Sequence, residues 1–144
     1  MAIYDVATEL VALPASAVTT TTSSTGVAIP VRMLPTSDWV IYVTSIDAAS
    51  NDETYVFTLE VSDVVGGTYT EIARHNWPRG HGVGRVHIPI NGDMASFQDT
   101  DSAFLRQTIT TGGTTPSIKA GGFITKSTNR VGLARKQGDV VTYP

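Results

Sequence analysis

The sequence predicts an all-β protein: a two-sheet antiparallel sandwich of about eight strands, jelly-roll-like, with an extended arm at each end. Three observations point there. Val (16), Ile (10) and Thr (21) make up 47 of 144 residues, against only 6 Leu; β-branched side chains are stiff at χ1 and suit pleated surfaces better than helices. Thirteen Gly and seven Pro interrupt the chain at short intervals. Alternating apolar runs recur with turn signals every 8–15 residues, a spacing that favours a Greek-key sandwich over a closed barrel. At 144 residues the chain suits one domain, large enough to hide roughly 68–70% of its unfolded surface.

Taken in order, residues 1–14 mix apolar and acidic positions up to Pro14 and form the expected N-terminal arm. The sandwich is expected over 15–125. "SAVTTTTSSTG" (16–26) suits an edge strand that continues into "GVAIPV" (26–31), where Pro30 marks an edge or a bulge. "SDWVIYVTSI" (37–46) is apolar on both faces, with Trp39, Ile41 and Val43 on one and Val40, Tyr42 and Ile46 on the other. Such a strand is covered from both sides. "TYVFTLEVS" (54–62) turns Tyr55, Phe57, Leu59 and Val61 inward and Val56, Thr58 and Glu60 outward. Gly66-Gly67 is expected to supply a positive φ for a tight turn into "TYTEIAR" (68–74). "VGRVHIPI" (83–90) places Val86, Ile88 and Ile90 opposite Arg85 and His87. "GDMASFQDTD" (92–101) allows one helical turn, and "AFLRQTIT" (103–110) and "SIKAGGFIT" (117–125) close the strand set. The tail 126–144 has four bases, one acid and no core-forming period, and is the expected C-terminal arm.

The absence of cysteine rules out disulfides and thiolate metal sites. "MAIYDVATEL" lacks the basic and long apolar segments of a secretory signal. No apolar run approaches the roughly 20 residues that cross a bilayer. The expectation is a soluble chain made in a cytoplasm, with no membrane partner. Charge is sparse and lopsided: residues 1–73 hold nine acids and one base, and residues 74–144 hold four acids and nine bases. Cross-strand pairing of opposite charges is one account; a bipolar surface suited to head-to-tail contact is the other.

Each chemical motif has a structural competitor. His75, His81 and His87 recur every six residues, but the spacing fits no single helix face and no acid lies between them, so strand and loop positions explain them better than zinc. "RGHGVG" (79–84) has glycines like a phosphate loop, yet a strand and not a helix comes after it. Asp93, Asp99 and Asp101 lack the closing glutamate of a calcium loop and suit turns and caps. Glu60 and Glu71 share one hairpin with no implied cleft, and no serine sits in a G-x-S-x-G pattern. No enzyme activity, metal or cofactor is expected. Overall acidity argues against a nucleic-acid partner.

The succession "ELVALPASAVTTTTSSTGVAIP", "TYVFTLEVSDVVGGTYTEIAR", "GRVHIPI" and "AFLRQTITTGGTTPSIKAGGFIT" resembles the small jelly-roll cement (decoration) proteins of tailed-bacteriophage capsids, over about residues 9–125. Its motifs are structural, and the basic tail beyond 126 has no counterpart in it. The resemblance implies a non-catalytic virion protein on the capsid exterior that clamps neighbouring major capsid subunits and its own copies, as a dimer or trimer. The partner-contact residues expected in the arms are Ile3, Tyr4, Leu133 and Tyr143 as apolar anchors, and Arg130, Arg135 and Lys136 pairing with shell carboxylates. The rival reading is a carbohydrate-binding sandwich with Trp39, Tyr42, Tyr69 and Trp77 as stacking aromatics. It requires them coplanar on an open face, and the loop setting of "HNWPRGHG" singles out Trp77.

Overall fold

The computed structural model describes residues 9–11, 17–30, 37–47, 52–90 and 102–126. In chain order the strands are β1 (Glu9–Val11), β2 (Thr22–Ser23), β3 (Val27–Pro30), β4 (Ser37–Ile46), β5 (Thr54–Ser62), β6 (Thr70–Trp77), β7 (Gly84–Pro89), β8 (Ser102–Gly112) and β9 (Ile118–Lys126). The one helical element among the described residues is a 3-10 turn at Arg79–His81. One sheet runs β1-β9-β4-β7; the other runs β8-β5-β6, with β2 and β3 as two pieces of one edge beside β8. All pairings are antiparallel.

The partners nest around a centre. β5 pairs with β6, β4 with β7, β2/β3 with β8, and β1 with β9. The chain is one long antiparallel ribbon, doubled back at the β5–β6 turn and wrapped so that successive rungs alternate between sheets. That wrapping is a jelly roll, and it meets the fold expectation. Residues 9–11, placed by the sequence in the N-terminal arm, add a strand to the edge of the first sheet.

Between the sheets, Trp39, Ile41, Val43, Ala120 and Ile124 face Tyr55, Phe57, Leu59, Val61, Leu105 and Ile109. The alternation expected along β5 is the one observed. On β4 both faces are buried: Val40 is fully covered opposite the core side, and the Tyr42 and Phe123 rings meet at 6.1 Å. Ile46 departs from its expected face. Val43 pairs with Ala120 but Ser45 pairs with Lys119, so Thr44 is an extra residue. This β-bulge turns Ile46 back toward Ile118 and the core.

Among the described residues, Gln107 carries a polar group into the apolar interior. Gln107 of β8 is 1% exposed, and its Oε1 accepts the Trp39 indole N–H of the opposite sheet at 2.9 Å. Its backbone N–H donates to Ser24 Oγ and its carbonyl accepts the Ser24 N–H, both at 3.0 Å, holding the break between β2 and β3. Gly122 makes the approach possible, because a Cβ there would overlap the Gln107 amide oxygen. The Nε2 of Gln107 is buried and has no acceptor.

Among the described residues, each outer strand is short, broken, bulged or ended by proline. β1 has three residues and a register shift, β2/β3 is broken and ends at Pro30, and β7 ends at Pro89. On β6, Ala73 faces Leu59 and Glu71 faces Glu60, which leaves Ile72 as a bulge.

Trp39→Phe and Gly122→Ala should each lower the unfolding free energy by about 1–3 kcal/mol, one by orphaning the amide and the other by displacing it. The double variant should lose less than the sum, since one bond is lost only once. Urea denaturation of the three variants measures this.

Candidate functional site

On the outer face of the second sheet, Glu60 stands directly opposite Glu71. Like charges so placed repel, and each is neutralised by its own arginine. Arg106 donates from Nε to Glu60 at 2.6 Å across the β5–β8 register, while Arg74 grips Glu71 from Nε and Nη2 at 2.9 and 2.8 Å. The hydrogen bonds from Arg74 hold the Glu71 carboxyl below the usual carboxylate range and raise Arg74 in turn. Thr108 donates to Glu60 as well, and its hydroxyl bonds that of Ser23 on β2. An acid of the N-terminal half therefore meets a base of the C-terminal half across strands. Glu60 thereby joins β5 to β8, and Glu71 is occupied by an arginine of its own strand.

At the end of the hairpin away from its turn, a groove of about 520 Å³ opens between Glu53–Val56 and a wall of Asn76, Trp77, Pro78 and Gly80. β6 runs on through Trp77 and does not stop at Arg74, so Trp77 is a strand residue, 1% exposed, with its indole N–H bonded to the Gly82 carbonyl at 2.8 Å. His75 and His81 meet its ring edge-on, with centroids 5.8 and 4.9 Å away. Burial, then the neighbouring His81, lowers the His75 pKa below that of an ordinary imidazole. Hydrogen bonds fix the floor. Glu53, itself buried, accepts from Thr115 Oγ1 at 3.2 Å, and Asp52 accepts from the Thr114 hydroxyl and N–H at 2.6 and 3.1 Å. Those two bonds depress the Asp52 pKa. The Tyr55 hydroxyl donates to the Asp47 carbonyl at 2.6 Å, and burial pushes its pKa up. Such a lining suits an apolar side chain.

The three histidines do not converge. His87 lies on the outer face of β7, with Nδ1 3.7 Å from Asp38. Among the described residues, no group of three or more His, Asp or Glu side chains could hold a metal ion. Nor do the aromatics form an open platform: Trp39 and Trp77 are core, Tyr42 is half-buried beside Phe123, and the half-buried Tyr69 has the Arg106 guanidinium 4.1 Å from its ring centre. The loop setting assigned to Trp77 is thereby corrected. Phe57 and Tyr55 across the strand pair draw it inward.

Neither a family model nor a curated protein matches the sequence. Ile3, Tyr4, Arg130, Leu133, Arg135, Lys136 and Tyr143, the contact residues expected from sequence, lie outside the described residues, as do Asp93, Asp99 and Asp101.

A feature that sequence alternation does not signal is the exposed apolar pair within the expected β5–β6 turn. Val64 and Val65 are 60% and 49% exposed, and with Val83 (61%) they are the exposed large apolar residues among those described. The turn is braced. Ser62 Oγ donates to the Val64 carbonyl at 2.8 Å, the Gly67 N–H donates to the same carbonyl at 3.0 Å, and the Tyr69 hydroxyl donates to the Val65 carbonyl at 2.7 Å. The positive φ expected at Gly66-Gly67 is not what they supply, since the described positive-φ glycines are Gly82, Gly84 and Gly113. Gly67 supplies space: a Cβ there would sit 2.9 Å from Ser62 Oγ and 3.0 Å from Val64 Cγ2.

The depressed pKa of His75 has a pH consequence. Below the ordinary value of 6.5, an unfolded histidine takes up a proton that the folded site resists. The unfolded state then binds more protons, and stability falls as the pH is lowered. The thermal midpoint should drop between about pH 7 and about pH 5, and the drop should shrink in His75→Asn, as read by calorimetry at both values.

Proposed function

We propose that this chain is a virion structural protein, a jelly-roll cement protein that binds the outer surface of a tailed-phage capsid and stabilises contacts between major capsid subunits and between its own copies. The reading rests first on the division of labour in the sandwich. The Glu60–Arg106 pair ties β5 to β8 and the Glu71–Arg74 pair neutralises the facing acid within β6, while the exposed large apolar side chains among the described residues stand at chain turns, Val64 and Val65 at one end of the β5–β6 hairpin and Val83 beside the other. A stiff body that presents apolar points at its ends is suited to bridging other molecules.

The resemblance of residues 9–125 supports the same reading and supplies the phage shell as partner. β1 lends a mechanism, because a chain terminus can lie on a sheet edge through main-chain hydrogen bonds that need no particular side chains. On this proposal Ile3, Tyr4, Leu133 and Tyr143 anchor the arms and Arg130, Arg135 and Lys136 pair with shell carboxylates. Each contact is weak alone and gains from multivalency when one copy touches several subunits.

The test is co-sedimentation of the purified chain with cognate shells that lack it. The full chain should pellet with mature shells, and deletion of residues 127–144 should reduce the bound fraction at least tenfold with no change in thermal midpoint. A full-length chain left in the supernatant would overturn the proposal.

A further inference from the structure

We propose that the outer edge of β7 takes up residues 1–8 of a second copy of this chain as an added strand. β7 ends the order β1-β9-β4-β7, and among the described residues no strand lies beyond it. The Ile90 N–H donates to the Ser37 carbonyl at 3.0 Å, which makes those facing residues a hydrogen-bonded pair. Such pairs alternate along an antiparallel ladder, so Ile88 and Val86 turn their main-chain groups toward Trp39 and Ile41 on β4. Arg85 and His87 turn theirs the other way, to the open side. Two rungs are thus available to another chain, and Pro89, which has no N–H, ends them.

The side chains along this edge define what fits it. Arg85 and His87 stand on the outer face of the sheet, beside Tyr42 and Val40. Asp38 meets His87, whereas Arg85 is exposed and has no ion pair among the described residues. Val86 and Ile88 lie on the core side and are only half-buried. A strand laid against β7 continues the same two faces. Residues 1–8, MAIYDVAT, have the matching alternation. With Asp5 on the face of Arg85, Tyr4 and Val6 fall on the face of Val86 and Ile88 and cover them. These eight residues contain no Lys or Arg. The tail 127–144 would instead bring Arg130, Arg135 and Lys136 to the same base.

Reach assigns the segment to a neighbour's β7 and not to its own. Glu9, the next residue, pairs with Phe123 of β9 at the opposite end of the sheet. From β1 to a place beyond β7 is four strand spacings, about 19 Å, and eight extended residues span about 26 Å. The crossing would consume about six of them, and two cannot lie along both Arg85 and His87. A second copy alongside needs no crossing, because its β7 edge stands next to the first copy's β1. The two surfaces differ, so the contact is heterologous and builds a ring or an open row. Two rungs make a weak contact, which gains from repetition. This strand exchange gives the self-contact of the proposed function a location without requiring a shell, and its test contains none.

The experiment is sedimentation velocity on the full chain over about a hundredfold range of concentration, with the variants Asp5→Arg and Arg85→Asp. Thermal midpoints equal to wild type verify that both fold. Wild type should shift to larger species as concentration rises. Each variant alone should stay a monomer, since base then faces base or acid faces acid. An equal mixture should associate again, because each protein's segment then meets the opposite charge on the other's β7. Hydrogen exchange gives a second reading: the Arg85 and His87 amides of wild type should exchange at least tenfold more slowly at the highest concentration than at the lowest. A wild type that stays monomeric overturns the inference. So does a single variant that associates like wild type, a mixture that does not associate, or association that leaves those two amides unprotected.

Discussion

The alignment of the two sheets depends on one hydrogen bond between them, from the Trp39 indole to the Gln107 amide, set among the apolar core residues described. Dispersion and burial alone would let two twisted sheets slide over each other at little cost, because apolar contact is non-directional. A bond buried in low dielectric has a direction and a length, so it selects one alignment of β4 over β8. It also restricts the sequence: β9 must carry a glycine at 122, and the edge beside β8 must break at Ser24 to serve the Gln107 backbone. The apolar residues supply cohesion, and Gln107 supplies alignment.

Around that point the wrapped ribbon explains why so much of the sequence is ordinary strand and turn. Its central hairpin is the innermost rung, and every later pairing inherits its register. Bulges at Thr44 and Ile72 correct that register locally. The first returns Ile46 to the core. The second brings Glu71 and Arg74 to the same face, where they form the bidentate pair that relieves the clash with Glu60.

The all-β class, the sandwich and the inward residues of β5 were legible in the sequence, because period-two alternation and β-branched composition report directly on a half-buried sheet. The bulge at Thr44 was not. One extra residue leaves no trace in composition yet reverses the face of every later residue in the strand, which is why Ile46 reads on the wrong side. Trp77 was misread for a related reason: "HNWP" looks like a loop by its Asn and Pro, and only the pairing with Tyr55 shows a strand running to the proline. The groove was invisible because its walls lie some twenty residues apart in the chain. The exposed valines of the turn could have been noticed, since two β-branched apolar residues before Gly-Gly are unusual company for a surface turn.

The interrupted edges carry a further meaning for a molecule held at high local density. An unbroken flank of unpaired amides is an invitation to laminate, one sheet continuing into the next until the assembly becomes a fibre. Among the described residues, a three-residue strand, a proline-ended break, a bulge and a second terminal proline shorten or distort the outer strands. Crowded copies can therefore stand shoulder to shoulder and remain separate bodies.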